Sequence, residues 1–103
     1  MVKYIYLIQS LEDGYYKIGV SKNPSKRVEQ LQTGNSSKLK LIESYKSEHA
    51  NIVEKTLQRR YGCSRKEGEW FDLSVNNEVS FVEECENIEK NIIFLKKSAN
   101  VFI

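Results

Sequence analysis

At 103 residues the chain can hold one modest hydrophobic core and is too short for two. Its 40% apolar and 29% charged residues set aside a disordered or fibrous chain. No apolar run nears the roughly 18 residues of a membrane span. Residues 1–10 also give way to Glu12 and Asp13 too soon for a secretion signal.

Residues 2–9 alternate as a strand, with Tyr4, Tyr6 and Ile8 toward one face and Ile5 and Leu7 toward the other. Glu12-Asp13-Gly14 reads as a turn in which glycine supplies a positive φ. Residues 15–20 form the return strand, with Tyr16, Ile18 and Val20 on one face and Lys17 on the other. With Ile5, Leu7, Ile18 and Val20 on the core side, Tyr6 and Lys17 share the opposite side. Asn23 and Pro24 open a helix as N-cap and first-turn residue. It runs through Arg27, Val28 and Leu31 to about Gln32, and Gly34 suits a left-handed C-cap.

A third strand follows over residues 39–45. Ser47 is expected to cap a second helix over residues 48–61, where Ala50, Val53, Leu57 and Tyr61 recur at helical spacing. Residues 62–68 make a polar, basic loop and residues 69–73 a short extended segment. Asn76 or Asn77 caps a last helix to about Ser98. The expected fold is α/β (α+β), a three-stranded antiparallel sheet flanked by helices. Residues 1–73 form its domain and residues 74–103 a C-terminal helical extension. In that extension Phe81, Cys85, Ile88, Ile92, Leu95 and Ala99 follow alternating four-three spacing. Such a seam lies on its own domain or pairs with a second chain as a homodimer.

The net charge of +2 hides an asymmetry. Residues 1–66 hold 13 Lys/Arg against 6 Asp/Glu, and residues 67–103 hold 3 against 8. A basic body with an acidic tail fits a polyanion-binding surface, although two solvated faces that neutralise one another fit the same numbers. Cys63 and Cys85 lack metal-ligand spacing and read as the reduced thiols of a cytoplasmic protein.

Tyr4-Ile5-Tyr6 is followed about ten residues later by Tyr16-Lys17-Ile18-Gly19, then by Arg27 on the next helix and Glu54 on the helix after the third strand. This order resembles the GIY-YIG endonuclease superfamily. It is more closely similar to a divergent phage and viral subgroup whose second motif is KIG and whose module ends in Gly-Glu-Trp-Phe. Lys17-Ile18-Gly19, Arg27-Val28-Glu29-Gln30-Leu31-Gln32-Thr33-Gly34-Asn35 and Gly68-Glu69-Trp70-Phe71 carry the likeness, over residues 2–73. It implies a metal-dependent endonuclease that hydrolyses phosphodiester bonds of nucleic acid, DNA ahead of RNA, with a single Mg²⁺ or Mn²⁺ and no membrane partner.

Within that resemblance Arg27 is the transition-state residue. A guanidinium fork holds two equatorial phosphate oxygens, and the first turn of a capped helix gives it a rigid base beside free N–H groups. Glu54 is the metal ligand. It lies against the buried stripe of its helix, where a carboxylate needs a cation or an ion pair, and one carboxylate suffices for Mg²⁺. Tyr6 takes a proton from the attacking water or hydrogen-bonds the scissile phosphate, with Lys17 beside it to lower its pKa or steady the phosphate. Lys17 stands where the main family has tyrosine, Tyr4 where it has glycine, and Leu31 where many relatives have histidine or tyrosine. His49 reads as a solvent-facing first-turn residue, and Glu69 as part of a core-closing segment. Lys38, Lys40, Lys55, Arg59, Arg60, Arg65 and Lys66 are candidates for tracking a nucleic-acid backbone. Two alternatives stand beside the nuclease: a binding module that kept the fold and lost cleavage, and an oligomerising interaction domain led by the C-terminal seam.

Overall fold

The computed structural model describes residues 2–66 and 70–102, with side chains through Ser98. Gly68, Glu69 and the Ala99 side chain lie outside the described residues. Strands β1 (Lys3–Ser10) and β2 (Tyr16–Ser21) pair antiparallel, with Ile5 opposite Val20 and Leu7 opposite Ile18. Their turn closes through Ser10 N–H to Tyr15 O at 2.9 Å and Gly14 N–H to Ser10 O at 2.8 Å. Gly14, at φ 78°, is the positive-φ glycine that the turn requires.

Helix α1 (Pro24–Thr33) starts as its sequence dictates, the Asn23 side chain accepting the Lys26 N–H at 3.2 Å. Its end does not follow expectation. Gly34 has φ −99° and ψ 10°, so there is no left-handed cap. The Gln32 side chain holds the exit instead, donating to Ser37 O at 2.9 Å and accepting the Leu39 N–H at 2.8 Å. An amide that satisfies the departing backbone removes the need for the glycine conformation.

Strand β3 (Leu39–Ser47) pairs antiparallel with the other side of β1 and extends two residues beyond its expected end. Ser47 is thereby used as a strand residue, and α2 (Ala50–Arg60) starts after it. The Ser47 hydroxyl accepts the His49 N–H at 2.9 Å, and His49 stands at the N-cap, half-buried and with no side-chain cap bond.

The sheet has four strands, not the expected three, in the order β3-β1-β2-β4. The addition is β4 (Trp70–Phe71), which places Phe71 opposite Tyr16 and Trp70 opposite Lys17. Two residues are too few to show a periodicity. What puts them in the sheet is tertiary: Phe71 is fully buried, and the Lys66 N–H to Trp70 O and Asp72 N–H to Ser64 O bonds, both 2.7 Å, fold the segment back on itself. The last helical region is also split. Ser74, not Asn76 or Asn77, caps α3 (Val75–Val79), and Asn77 completes its capping box; α4 (Phe81–Phe102) follows Ser80.

One face of the sheet buries Ile5, Leu7, Tyr16 and Ile18 against Val53 and Leu57 of α2 and Phe81, Cys85 and Ile88 of α4. The other buries Tyr6, Ile8 and Leu39, with Val28 and Leu31 of α1 packed on them. Three phenols fasten α3 and α4 to the body. Tyr16 donates to Glu78 at 2.7 Å, Tyr45 donates to Glu89 at 2.6 Å, and Tyr61 donates to Glu84. The C-terminal seam is thus intramolecular over its first half. Beyond Ile92 the helix exposes Ile93, Phe94 and Leu95. No helix among the described residues is long and apolar enough to cross a membrane.

Candidate nucleic-acid interface

Strand alternation places Tyr6 and Lys17 on the same face of the sheet, as the sequence pattern requires. They are offset, because Tyr6 lies opposite Gly19 and Lys17 opposite Ile8. The Tyr6 phenol crosses the strand onto Gly19, where a Cβ would stand 2.2 Å from the hydroxyl oxygen and 2.4 Å from the ring carbon that bears it. The glycine of the Lys-Ile-Gly motif therefore makes room for a side chain. Tyr6 is only 3% exposed and belongs to the cluster with Ile8 and Leu39. Lys17 holds its ammonium over the Trp70 ring, 5.7 Å from the centroid.

Among the described residues β4 pairs with β2 at Tyr16 and Lys17. Helix α2 meets β2 beyond that pair: Gln58 Nε2 donates to Ile18 O at 3.2 Å. Glu54, half-buried, lies one turn before Gln58 on the same helix face. Arg27 stands exposed in the first turns of α1, its guanidinium 3.5 Å from Gln30 Oε1. The fold thus puts Tyr6, Lys17 and α1 on one layer and α2 with Glu54 on the other, with β2 between them.

Next to Glu54 the surface opens into a cleft of about 740 Å³ lined by Lys55, Gln58, Arg59, Gly62 and Arg65. Three of the seven basic candidates meet there. Lys38, Lys40, Arg60 and Lys66 are exposed outside it, and Lys66 lines a different cavity. Arg59 and Arg60 also fall in the last turn of α2, where cations complement the helix dipole.

A protein-family model, the T5orf172 domain, matches residues 3–92. The chain belongs to the T5orf172 domain family. That family is phage-associated and related to nucleases. No curated protein and no solved structure matches the chain. The T5orf172 match takes in α3 and stops at Ile92, where α4 leaves the body.

The remaining reactive side chains of this T5orf172 domain are structural. Burial and the adjoining Glu78 push the Tyr16 phenol up to about 12, and burial with Glu89 and Glu84 raises Tyr45 and Tyr61 further, so all three stay hydrogen-bond donors. Burial beside Glu84, Glu89 and Glu86 pushes the Cys85 thiol up to about 12, which leaves it inert. Cys63 is exposed, and both thiols are free. Among the described residues no three His, Cys, Asp or Glu gather as a multi-ligand metal centre. Two members of the interface carry no motif in the sequence. Gln58 joins it by reaching the Ile18 carbonyl across from α2, a contact that spacing along the chain does not encode. Trp70 was assigned to core closure, and its half-exposed ring under Lys17 follows from the β2–β4 register.

Proposed function

We propose that this T5orf172 domain is a metal-dependent endonuclease that grips the phosphate backbone of nucleic acid, DNA before RNA, and hydrolyses it beside β2. The observation that carries the reading is the meeting of Lys55, Arg59 and Arg65 in one cleft next to the half-buried Glu54, in a chain whose family is related to nucleases. Three cations in one groove give a sequence-blind hold on phosphates. The Glu54 carboxylate can serve Mg²⁺ or Mn²⁺, which accept one or two carboxylates and keep several waters. When bound at Glu54, such an ion supplies positive charge to the phosphoryl oxygens. The chain provides the rest. Arg27 lends a guanidinium from a rigid helix start, able to follow the charge that builds on the equatorial oxygens. Tyr6 orients the attacking water or donates to the phosphate, and Lys17 adds charge on the same face.

A second reading, a module that binds nucleic acid without cutting it, is favoured by one observation: Lys17, in the place of a second phenol, is drawn toward Trp70. Supercoiled plasmid incubated with the protein and Mg²⁺ or Mn²⁺ separates the two. The nuclease reading expects nicking that falls about 100-fold or more in Arg27→Ala and disappears in Glu54→Ala, with binding retained. Cleavage indifferent to both substitutions refutes the site, and salt-sensitive binding without any cleavage establishes the second reading. In either case, replacing Lys55, Arg59 and Arg65 together lowers the slope of log K against log salt by about three.

A further inference from the structure

A second cavity, of about 550 Å³, lies at the β1–β2 turn. Its size falls in the range of roughly 300–1,000 Å³ usual for small-ligand sites. Its chemistry differs from that of the basic cleft. Two aromatic side chains, Tyr15 and Trp70, line it together with the carboxylates of Glu12 and Asp13, the amide of Asn35 and one ammonium, Lys66. A naked phosphate backbone is a poor occupant, because among the described lining residues two carboxylates oppose one cation. A flat aromatic ligand with hydrogen-bond donors on its edge and one anionic group is a good one.

We propose that this cavity is a nucleobase subsite, selective for guanine, that receives an unstacked base of the bound strand. It rests on the nucleic-acid reading above for the source of the base, while the chemistry of the cavity stands by itself. Trp70, half-exposed and packed against the Tyr6, Ile8 and Leu39 cluster, lines the cavity and supplies the stacking surface. Lys66, held 5.9 Å from the Tyr15 ring centroid, meets the phosphate attached to that base. The edge is read by the turn. Asp13 Oδ1 accepts the Tyr15 N–H at 3.0 Å, which fixes the carboxylate in place and leaves further acceptor sites on it. Guanine presents two adjacent donors, N1–H and N2–H, that a carboxylate accepts side by side. Thymine and uracil present one N–H between two carbonyls, which a carboxylate repels. Asn35 uses its Oδ1 on the Ser37 N–H at 3.0 Å, so its amide NH₂ is the end left to meet a carbonyl such as guanine O6.

Trp70 is the only tryptophan, so its emission reports this cavity without a label. The full chain is titrated with guanosine monophosphate and thymidine monophosphate, and separately with a thymine oligonucleotide carrying one central guanine. Saturable quenching by the guanine nucleotide, at least about fivefold tighter than by the thymine one, is the expected result, that ratio being the low end of what one bidentate base contact discriminates. The double variant Glu12→Gln, Asp13→Asn keeps the turn acceptor and the stacking ring, and abolishes the preference. Tighter binding of the oligonucleotide than of the mononucleotide assigns the base to a strand, and the reverse assigns the site to a free nucleotide, which overturns the strand subsite. Equal quenching by both nucleotides, or quenching that never saturates, overturns the proposal. Loss of plasmid binding in the Lys55, Arg59, Arg65 variant leaves the mononucleotide titration unchanged, so failure of the cleft and failure of the pocket are read separately.

Discussion

Gly19→Ala tests whether the glycine of the Lys-Ile-Gly motif exists for the sake of Tyr6. Gly19 has an ordinary extended φ, so alanine meets no backbone strain, and the effect is steric. The added Cβ falls 2.2 Å from the Tyr6 oxygen, 2.4 Å from Cζ and 2.9 Å from a ring edge carbon. The ring must retreat by about 1 Å or more to regain ordinary contact. It has little room to do so, being packed against Ile8 and Leu39 beneath α1. Overpacking of this kind costs about 1–3 kcal/mol, a fall in Tm of roughly 5–20 °C for a domain of this size. Urea unfolding followed by Trp70 fluorescence and by far-ultraviolet circular dichroism measures it. In a Tyr6→Leu background the clashing atoms are gone, and the same Gly19→Ala change should cost less than about 0.5 kcal/mol, a coupling that a double-mutant cycle isolates. Tyr6→Phe should not relieve the clash, because Cζ remains. An equal cost of Gly19→Ala with Tyr6 and with Leu at that position refutes the packing argument.

The phenol clasps predict an alkaline weakness. A pKa raised in the folded state makes the protonated phenol stabilising below pH 10, and that stability is lost as pH rises from 10 through about 12 for Tyr16. Urea midpoints should therefore fall between pH 10 and 12, and less steeply in Tyr16→Phe; identical slopes would count against the clasp. The buried hydroxyls of Ser10 and Ser37 lie 2.6 Å apart. Ser37→Ala should cost about 1–3 kcal/mol, and adding Ser10→Ala should cost less than it does alone, since no orphaned hydroxyl then remains; strict additivity of the two unfolding free energies contradicts this. Of the two thiols, exposed Cys63 should react promptly with a thiol reagent in the native state and buried Cys85 only in denaturant, so two equally fast native thiols would contradict the placement of Cys85 in the core.

Much of this domain was legible residue by residue wherever the signal is local. The Asn23 cap, the positive φ at Gly14, the alternating faces of β1 and β2 and the buried stripe of α2 depend on geometry set within a few residues of chain, so side-chain type and spacing suffice to place them. Expectation failed where a partner distant in sequence decides. Gly34 lost its cap role to the Gln32 amide, Ser47 was claimed by β3, Asn77 serves Ser74, and Trp70–Phe71 became a fourth strand because β2 offered an edge and the core a place for Phe71. For the candidate site, the sequence alone named Tyr6, Lys17, Arg27 and Glu54 and set Tyr6 and Lys17 on one face. Only the tertiary structure decided that Tyr6 rests on Gly19, that Gln58 reaches the Ile18 carbonyl of β2, and that three of seven scattered cations share a cleft while a fourth lines a pocket of different chemistry. A charge's neighbours across the surface are fixed by which elements pack together, and no spacing along the chain encodes that.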